Sequence, residues 1–443
     1  MNLKRDLGWK EATALGTGAM VGAGIFILSG VAAGKAGPAV MLAFILAAIL
    51  EILLGLCYAE LASKYPRAGG AYEYVSQTMG SFVGALVGWS YWGAWLAASS
   101  FVSQGFGNYL HSLTGAPSLI SAVMLLLVLG AFNMLGIKFS GAIQVGMVLV
   151  EIIVLVIFFA LGFVHVDYSL YVPLAPNGLK GILSASLVGF LSMVGWDVIV
   201  DAGEEMKHPS KTIPKAILSS IIIVLVLYSG LLFVSTGVVS WQQLGISKVP
   251  VALASQQFLG EFGPILISIV IVIALPATAN AFIISISRTA FAMGRKGFLP
   301  KKLGMIHPRF QTPVWAILLG VSIQILFTLV SSINMAVNAT GFLYLLTFIF
   351  TILAFFFSRR KSAKGERTDW FSAPFFPFLP ALALIICLCL LVPVGSSGFF
   401  SGLAWLAVGI GIYLIRLKSI KATDRREAKE NKVKGADRKV EFL

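Results

Sequence analysis

Two short stretches put glycine where an apolar segment would otherwise run as unbroken helix: Met20-Val21-Gly22-Ala23-Gly24-Ile25-Phe26 and Ser192-Met193-Val194-Gly195-Trp196-Asp197. Glycine lowers helix stability by about 1 kcal/mol relative to alanine. A helix that breaks leaves free N–H groups at the start of one half and free C=O groups at the end of the other. The N–H end carries positive partial charge and suits a carboxylate, while the C=O end suits an ammonium group. Together they would make a receptor for a zwitterion that uses no charged side chain. The candidate donors are the N–H groups of Ala23, Gly24 and Ile25, following Gly22. The candidate acceptors are the carbonyls around Ala19 and Met20 and, at the second break, around Phe190, Leu191, Ser192 and Met193, with Val194 and Gly195 completing the break. Helix packing is the competing explanation, because Gly18-x-x-x-Gly22 fits the small-xxx-small pattern. A second break at a matching position favours a binding site.

Ionisable residues inside apolar segments are functional by default. Glu151 is a candidate coupling group, or else a carboxyl satisfied by a polar neighbour. Glu51, among Leu and Ile, reads either as structural or as part of a proton relay. Asp197 and Asp201 lie one helical turn apart; Asp197 is a candidate gate or pH sensor, and structural pairing is the alternative for both. Glu60 is expected to pair with Lys64 or Arg67, and Glu204 and Glu205 with Arg288, Arg295 or Lys207. Met20, Ile25, Leu191, Met193 and Val194 make the pocket apolar, with Ser192 and Asn280 as the nearest polar contacts. Such a lining favours a neutral substrate side chain. Trp89, Trp92 and Trp95 recur every three residues, as gates or as packing.

Other chemistries find no support. His111, His165, His208 and His307 lack ligand spacing, and Cys57, Cys387 and Cys389 read as small buried hydrophobes. No metal or other cofactor is expected. No nucleophile–base set marks an enzyme, no Walker A motif marks direct ATP coupling, and no charge ring or filter loop marks a channel.

The elements that must position these residues follow from composition. Hydrophobic residues make up 58% of the chain and charged ones 12%, with a mean hydropathy of +0.91. Apolar stretches of about 20 residues recur, each long enough to cross a bilayer, so the chain reads as an all-α polytopic membrane protein. Twelve spans are expected, at about 12–34, 38–62, 81–110, 117–136, 141–164, 181–203, 214–238, 263–290, 313–331, 336–357, 374–394 and 399–416. With the N-terminus inside, 30 of the 33 Lys and Arg residues fall on the cytoplasmic side, leaving Lys35, Lys180 and Lys248 outside. That asymmetry follows the positive-inside rule and predicts two cytoplasmic termini in the cell membrane. The net charge of +14 thus reflects topology, and no nucleic-acid partner is expected. No cleavable signal peptide is evident.

Ten spans divide into two sets of five, each opening with a broken helix, and an odd number of helices per set makes the second enter from the opposite side. This is the arithmetic of an inverted repeat. The expected organisation is a cytoplasmic N-terminus (1–11), a first five-helix repeat (12–164), a second (165–357), two additional helices (358–416) and a charged cytoplasmic tail (417–443). The tail is a solvated segment or one held near anionic membrane lipid.

Gly22-Ala23-Gly24-Ile25-Phe26 resembles the G-[SA]-G-I-F signature of amino acid–polyamine–organocation (APC) transporters. Tyr58-Ala59-Glu60-Leu61 with Tyr65-Pro66-Arg67-Ala68-Gly69-Gly70-Ala71-Tyr72 is similar to that family's loop between helices two and three. Gly195-Trp196-Asp197 through His208-Pro209 and Thr212-Ile213-Pro214 resembles its helix-six region, and Ser287-Arg288 with Ala292 through Pro300 its helix-eight end. The resemblance implies a LeuT-type fold of ten core helices plus two, with helices 1 and 6 discontinuous, and amino acid transport by alternating access, with the G-[SA]-G segment binding the substrate carboxylate. The first two helices look especially similar to the cationic-amino-acid-transporter branch. Many members carry a lysine midway along helix five, beside helix one; Glu151 stands there in this chain and reverses the local charge. The expected activity is proton-coupled symport of neutral amino acids, with an amino acid or polyamine exchanger, or a cationic amino acid transporter, as the alternative.

Overall fold

A computed structural model describes residues 7–65, 70–136, 141–201, 206–295, 297–361 and 370–416. Among these, every expected span is helical. The first is split into α1 (Trp9–Met20) and α2 (Ala23–Ala36). Then come α3 (Val40–Lys64), α4 (Gly70–Met79), α5 (Ser81–Thr114), α6 (Ser118–Met134) and α7 (Gly141–Phe163). The second split span is α8 (Gly178–Met193) and α9 (Asp197–Asp201), followed by α10 (Pro209–Val238). Two short helices, α11 (Trp241–Ile246) and α12 (Pro250–Leu259), lead to α13 (Phe262–Arg295), α14 (Val314–Val330), α15 (Ile333–Lys361) and α16 (Phe378–Leu391). A last helix, α17, covers 395–416.

The helices divide their faces as a bilayer demands. Along α3, Leu42, Ile45, Leu46 and Ile49 are exposed, while Ala43, Phe44, Ala47 and Ala48 are buried. This is the i, i+3, i+4, i+7 stripe of an amphipathic helix with its sides reversed: large apolar groups outward, small ones at the helix contacts. Cys57 and Cys387 are buried as expected, but Cys389 faces outward.

The packing repeats itself. The α2 helix meets α8, α3 meets α10, α5 meets α13 and α6 meets α14, so members of the first five pack on their counterparts in the second. Crossed pairs answer one another too: α1–α10 is matched by α8–α3, and α5–α14 by α13–α6. This is the LeuT-type 5+5 inverted repeat, with the two broken helices at its centre. At the end of α3, Glu60 finds a partner far away in sequence. Arg359 of α15 donates to it through Nε at 2.7 Å and through Nη2, and the Ala373 N–H adds a third bond at 2.6 Å. A buried carboxylate needs full satisfaction of this kind; Lys64, one of the expected partners, donates to the Ser358 carbonyl at 2.9 Å. Arg67, Lys138, Glu204, Glu205 and the tail 417–443 lie outside the described residues.

Candidate functional site

The first break is two residues of extended chain. Val21 has φ −73° and ψ 117°, and Gly22 has φ 174° and ψ −148°. The α2 helix then starts without a side-chain cap, so the N–H groups of Ala23, Gly24 and Ile25 have no intrahelical acceptor. The side chain of Ala23 is outside the described residues. The second break differs. Val194 is extended, but Gly195 has φ +136°, a conformation that side-chain-bearing residues rarely adopt.

The two breaks touch. A methyl group built on Gly195 would sit 2.7 Å from the Ala19 carbonyl oxygen and 3.0 Å from the Met20 nitrogen. One built on Gly24 would sit 3.1 Å from the Ser192 Cα and 3.3 Å from its carbonyl oxygen. Both contacts are backbone against backbone, which only glycine permits. Thus Ala19, Met20, Gly22, Gly24, Ser192 and Gly195 come together, with free N–H groups of α2 facing the carbonyl ends of α1 and α8. Met20, Ile25, Phe190, Leu191 and Met193 are buried around the junction, and Val194 is half-buried. The Ser192 hydroxyl donates to Val188 O at 2.9 Å within its own helix, leaving the backbone as the polar element here.

Groups that sequence reasoning missed complete the first break. Tyr228 of α10 donates to the Met20 carbonyl at 2.7 Å, which takes up one of its lone pairs. Thr278 of α13 approaches Gly22 so closely that an added methyl would lie 2.6 Å from its Oγ1. Glu151 is buried on α7, the helix whose Val148 packs on Gly18. It lies close enough to Tyr228 for an electrostatic interaction. None of the described residues forms a hydrogen bond or ion pair with the Glu151 carboxylate. Asn280 is turned elsewhere: its Oδ1 accepts from Asn133 Nδ2 of α6 at 2.6 Å, tying α13 to α6.

Past the second break the surroundings are polar and aromatic. Trp196 donates through Nε1 to Glu51 Oε2 at 2.7 Å, and Tyr91 donates to Asp197 Oδ2. The side chain of Asp201 is outside the described residues. Tyr58 packs edge-on against Trp196 at 5.3 Å, and Tyr344 stacks on Phe348 at 5.9 Å. Trp89, Trp92 and Trp95 are buried. Trp89 stacks on Trp405 of α17, and Trp92 donates to Ile286 O, so those two hold α5 to its neighbours. No group of His, Cys, Asp and Glu among the described residues has the geometry of a metal site.

Comparison with known proteins agrees with this architecture. A family model described as amino acid permease matches residues 7–413. The branched-chain amino acid permease BcaP of Bacillus subtilis is 31% identical over 436 residues, covering 94% of this chain and 93% of the relative. The methylthioribose transporter of the same organism is 30% identical over 442 residues, with 94% of each chain covered. Among solved structures, a mutant manganese transporter of Eremococcus coleocola superposes with a TM-score of 0.58 at 13% identity, over 95% of this chain and 98% of that one. At that identity the likeness concerns the fold alone.

Proposed function

This chain belongs to the amino acid permease family, and from that premise we propose that it takes up neutral amino acids by proton-coupled symport and alternating access. As a family member it is an integral membrane transporter and not an enzyme. The observation that carries the proposal is the junction of the two breaks, where the backbones approach so closely that a methyl added to Gly195 would lie 2.7 Å from the Ala19 carbonyl oxygen. The substrate carboxylate binds the N–H groups of Ala23, Gly24 and Ile25. The ammonium group binds carbonyls of α1 and α8, and the side chain meets Ile25, Leu191 and Met193. A backbone receptor recognises what all α-amino acids share, while the apolar lining selects the side chain. The branched-chain permease among the relatives supports a neutral substrate.

Glu151 supplies the coupling. A carboxylate inside the membrane beside a broken helix, with no basic partner among the described residues, is neutralised by a proton. Tyr228, which donates to the Met20 carbonyl, lies within electrostatic reach of Glu151, so in this reading the charge on Glu151 is felt at the first break. The N-terminal end of α1 faces the cytoplasm in this reading, following the Lys and Arg asymmetry.

Purified protein in liposomes, assayed with a panel of labelled amino acids with and without an inward proton gradient, tests the proposal. Uptake of a branched or other neutral amino acid is expected to rise at least several-fold with the gradient. Uptake that ignores the gradient but requires amino acid inside the vesicle would replace symport with exchange. Preference for a dibasic amino acid or for methylthioribose would overturn the substrate assignment.

A further inference from the structure

The mechanism above leaves two buried carboxyls unused. Glu51 on α3 has no exposed surface, and Asp197 at the start of α9 is 7% exposed. Each has one oxygen held by a neutral donor, Trp196 N–H and Tyr91 O–H respectively. The other oxygen, Oε1 of Glu51 or Oδ1 of Asp197, has no side-chain hydrogen-bond partner and is out of reach of water, and the backbone N–H groups of Asp197 and Val198 at the start of α9 lie beside the Asp197 carboxyl. The Tyr344 hydroxyl also lacks a hydrogen-bond partner and interacts electrostatically with both acids, as they do with each other.

We infer that Glu51 and Asp197 form a second proton-binding site, which holds one proton between the two acids while the helices around it are closed. Two ionised carboxylates within electrostatic reach of each other in a water-free interior are too costly to persist without compensation. The groups near the pair are Trp196 and, from other helices, Tyr91 of α5, Tyr344 of α15 and, on the Glu51 side, Cys387 of α16. The contacts of α8 and α10 with α3 are apolar, through Gly189 on Phe44 and Ala47 and through Ile217 and Ile221 on Gly55. Among the described residues no Lys, Arg or His touches either acid. An ammonium ion, a metal ion or a water molecule needs room, and unpartnered oxygens shielded from water leave none. A proton needs no cavity. It binds by converting one carboxylate to a carboxylic acid with an O–H bond, and it leaves to water when that bond breaks.

Five elements meet at the pair: α3, α5, α9, α15 and α16. Any motion that separates α9 from α3 admits water, hydrates the acids and releases the proton. The site therefore couples proton release to opening of the half of the molecule beyond the second break. That role rests on the alternating-access reading, whereas the bound proton does not.

Infrared difference spectroscopy of lipid-reconstituted protein at neutral pH tests the site directly, through the stretch of an un-ionised carboxyl group. Wild type is expected to show the band, and the double variant E51Q/D197N to lose the pair's share of it while the Glu151 contribution remains. E151Q is expected to keep the pair's contribution, which separates this test from the coupling role of Glu151. W196F retains both acids but removes one donor, and should shift the band to higher frequency without abolishing it. A band of full intensity in E51Q/D197N would overturn the proposal. So would a band in W196F unshifted from wild type, a reading that stands even if the double variant misfolds. Loss of gradient-driven uptake in E151Q bears on the proposed function, and loss of the pair's share of the band in E51Q/D197N bears on this one.

Discussion

The two helix breaks occupy equivalent positions in the repeat but are built differently. At the first, Gly22 is extended at φ 174°, a conformation any residue adopts, and what excludes a side chain is the hydroxyl of Thr278. At the second, Gly195 is at φ +136° and is also pressed against the backbone of Ala19, so both conformation and contact require glycine. The neighbours differ as well. The first break has Tyr228, Thr278 and a single acid, Glu151, whereas the second runs into Trp196, Asp197, Glu51 and Tyr91. One fold symmetry has thus been given two chemistries. A backbone break sets where a polar ligand binds, and the side chains packed behind it set what else responds.

The largest effect is expected from Gly195→Ala. It strains the backbone and collides with a carbonyl that cannot move aside, so uptake should fall more than tenfold while the protein stays inserted. Uptake within twofold of wild type would erase the distinction between the breaks. Gly24→Val should abolish substrate binding, measured by scintillation proximity, because the first atom of the side chain already meets Ser192 Cα at 3.1 Å. Unchanged affinity would defeat the backbone receptor. Glu151→Gln should flatten the dependence of uptake on pH, and Glu51→Gln should do so less, since Asp197 still retains a carboxyl there. Identical pH profiles for wild type and Glu151→Gln would remove Glu151 from the coupling.

Gly22→Ala should reduce uptake by only a few fold, and the second change Thr278→Ala should restore part of it, because a hydroxyl yields where a backbone does not. Full inactivation without rescue would place the two glycines in the same class. The smallest effect belongs to the loop far from either break. Asp167 accepts from Ser169 N–H at 2.9 Å, and the Ser169 hydrogen bonds hold its carboxyl below its ordinary range. Any stabilisation is therefore present above the ordinary carboxylate range and lost as the pH falls through the lowered value. At a fully exposed position solvent screens it, so Asp167→Asn should leave the thermal midpoint at neutral pH unchanged.

Much of the candidate site was legible in local sequence. Glycine inside an apolar run betrays a helix break through propensity alone, and Gly22, Gly24 and Gly195 were found that way. Tyr228, Thr278, Tyr91 and Tyr344 were not, because nothing in the sequence around them differs from ordinary span residues. Glu51 illustrates the limit most sharply. Among Leu and Ile it reads as an isolated acid, and its partner Trp196 is 145 positions away. Asn280 likewise has a partner that local sequence does not show, since its Oδ1 accepts from Asn133 Nδ2 of α6.

The sequence by itself determined that this chain crosses a membrane many times, where it breaks its helices and that the breaks recur in oppositely directed halves. Those properties follow from hydropathy, propensity and charge count, which are sums over neighbouring residues. Only the tertiary structure decided that the breaks abut, that Tyr228 donates to the Met20 carbonyl at one of them, and that Glu51 and Asp197 are both buried with an oxygen shielded from water. Hydrogen bonds and unpartnered oxygens depend on distances of a few ångströms between helices far apart in the chain, and no local pattern encodes those.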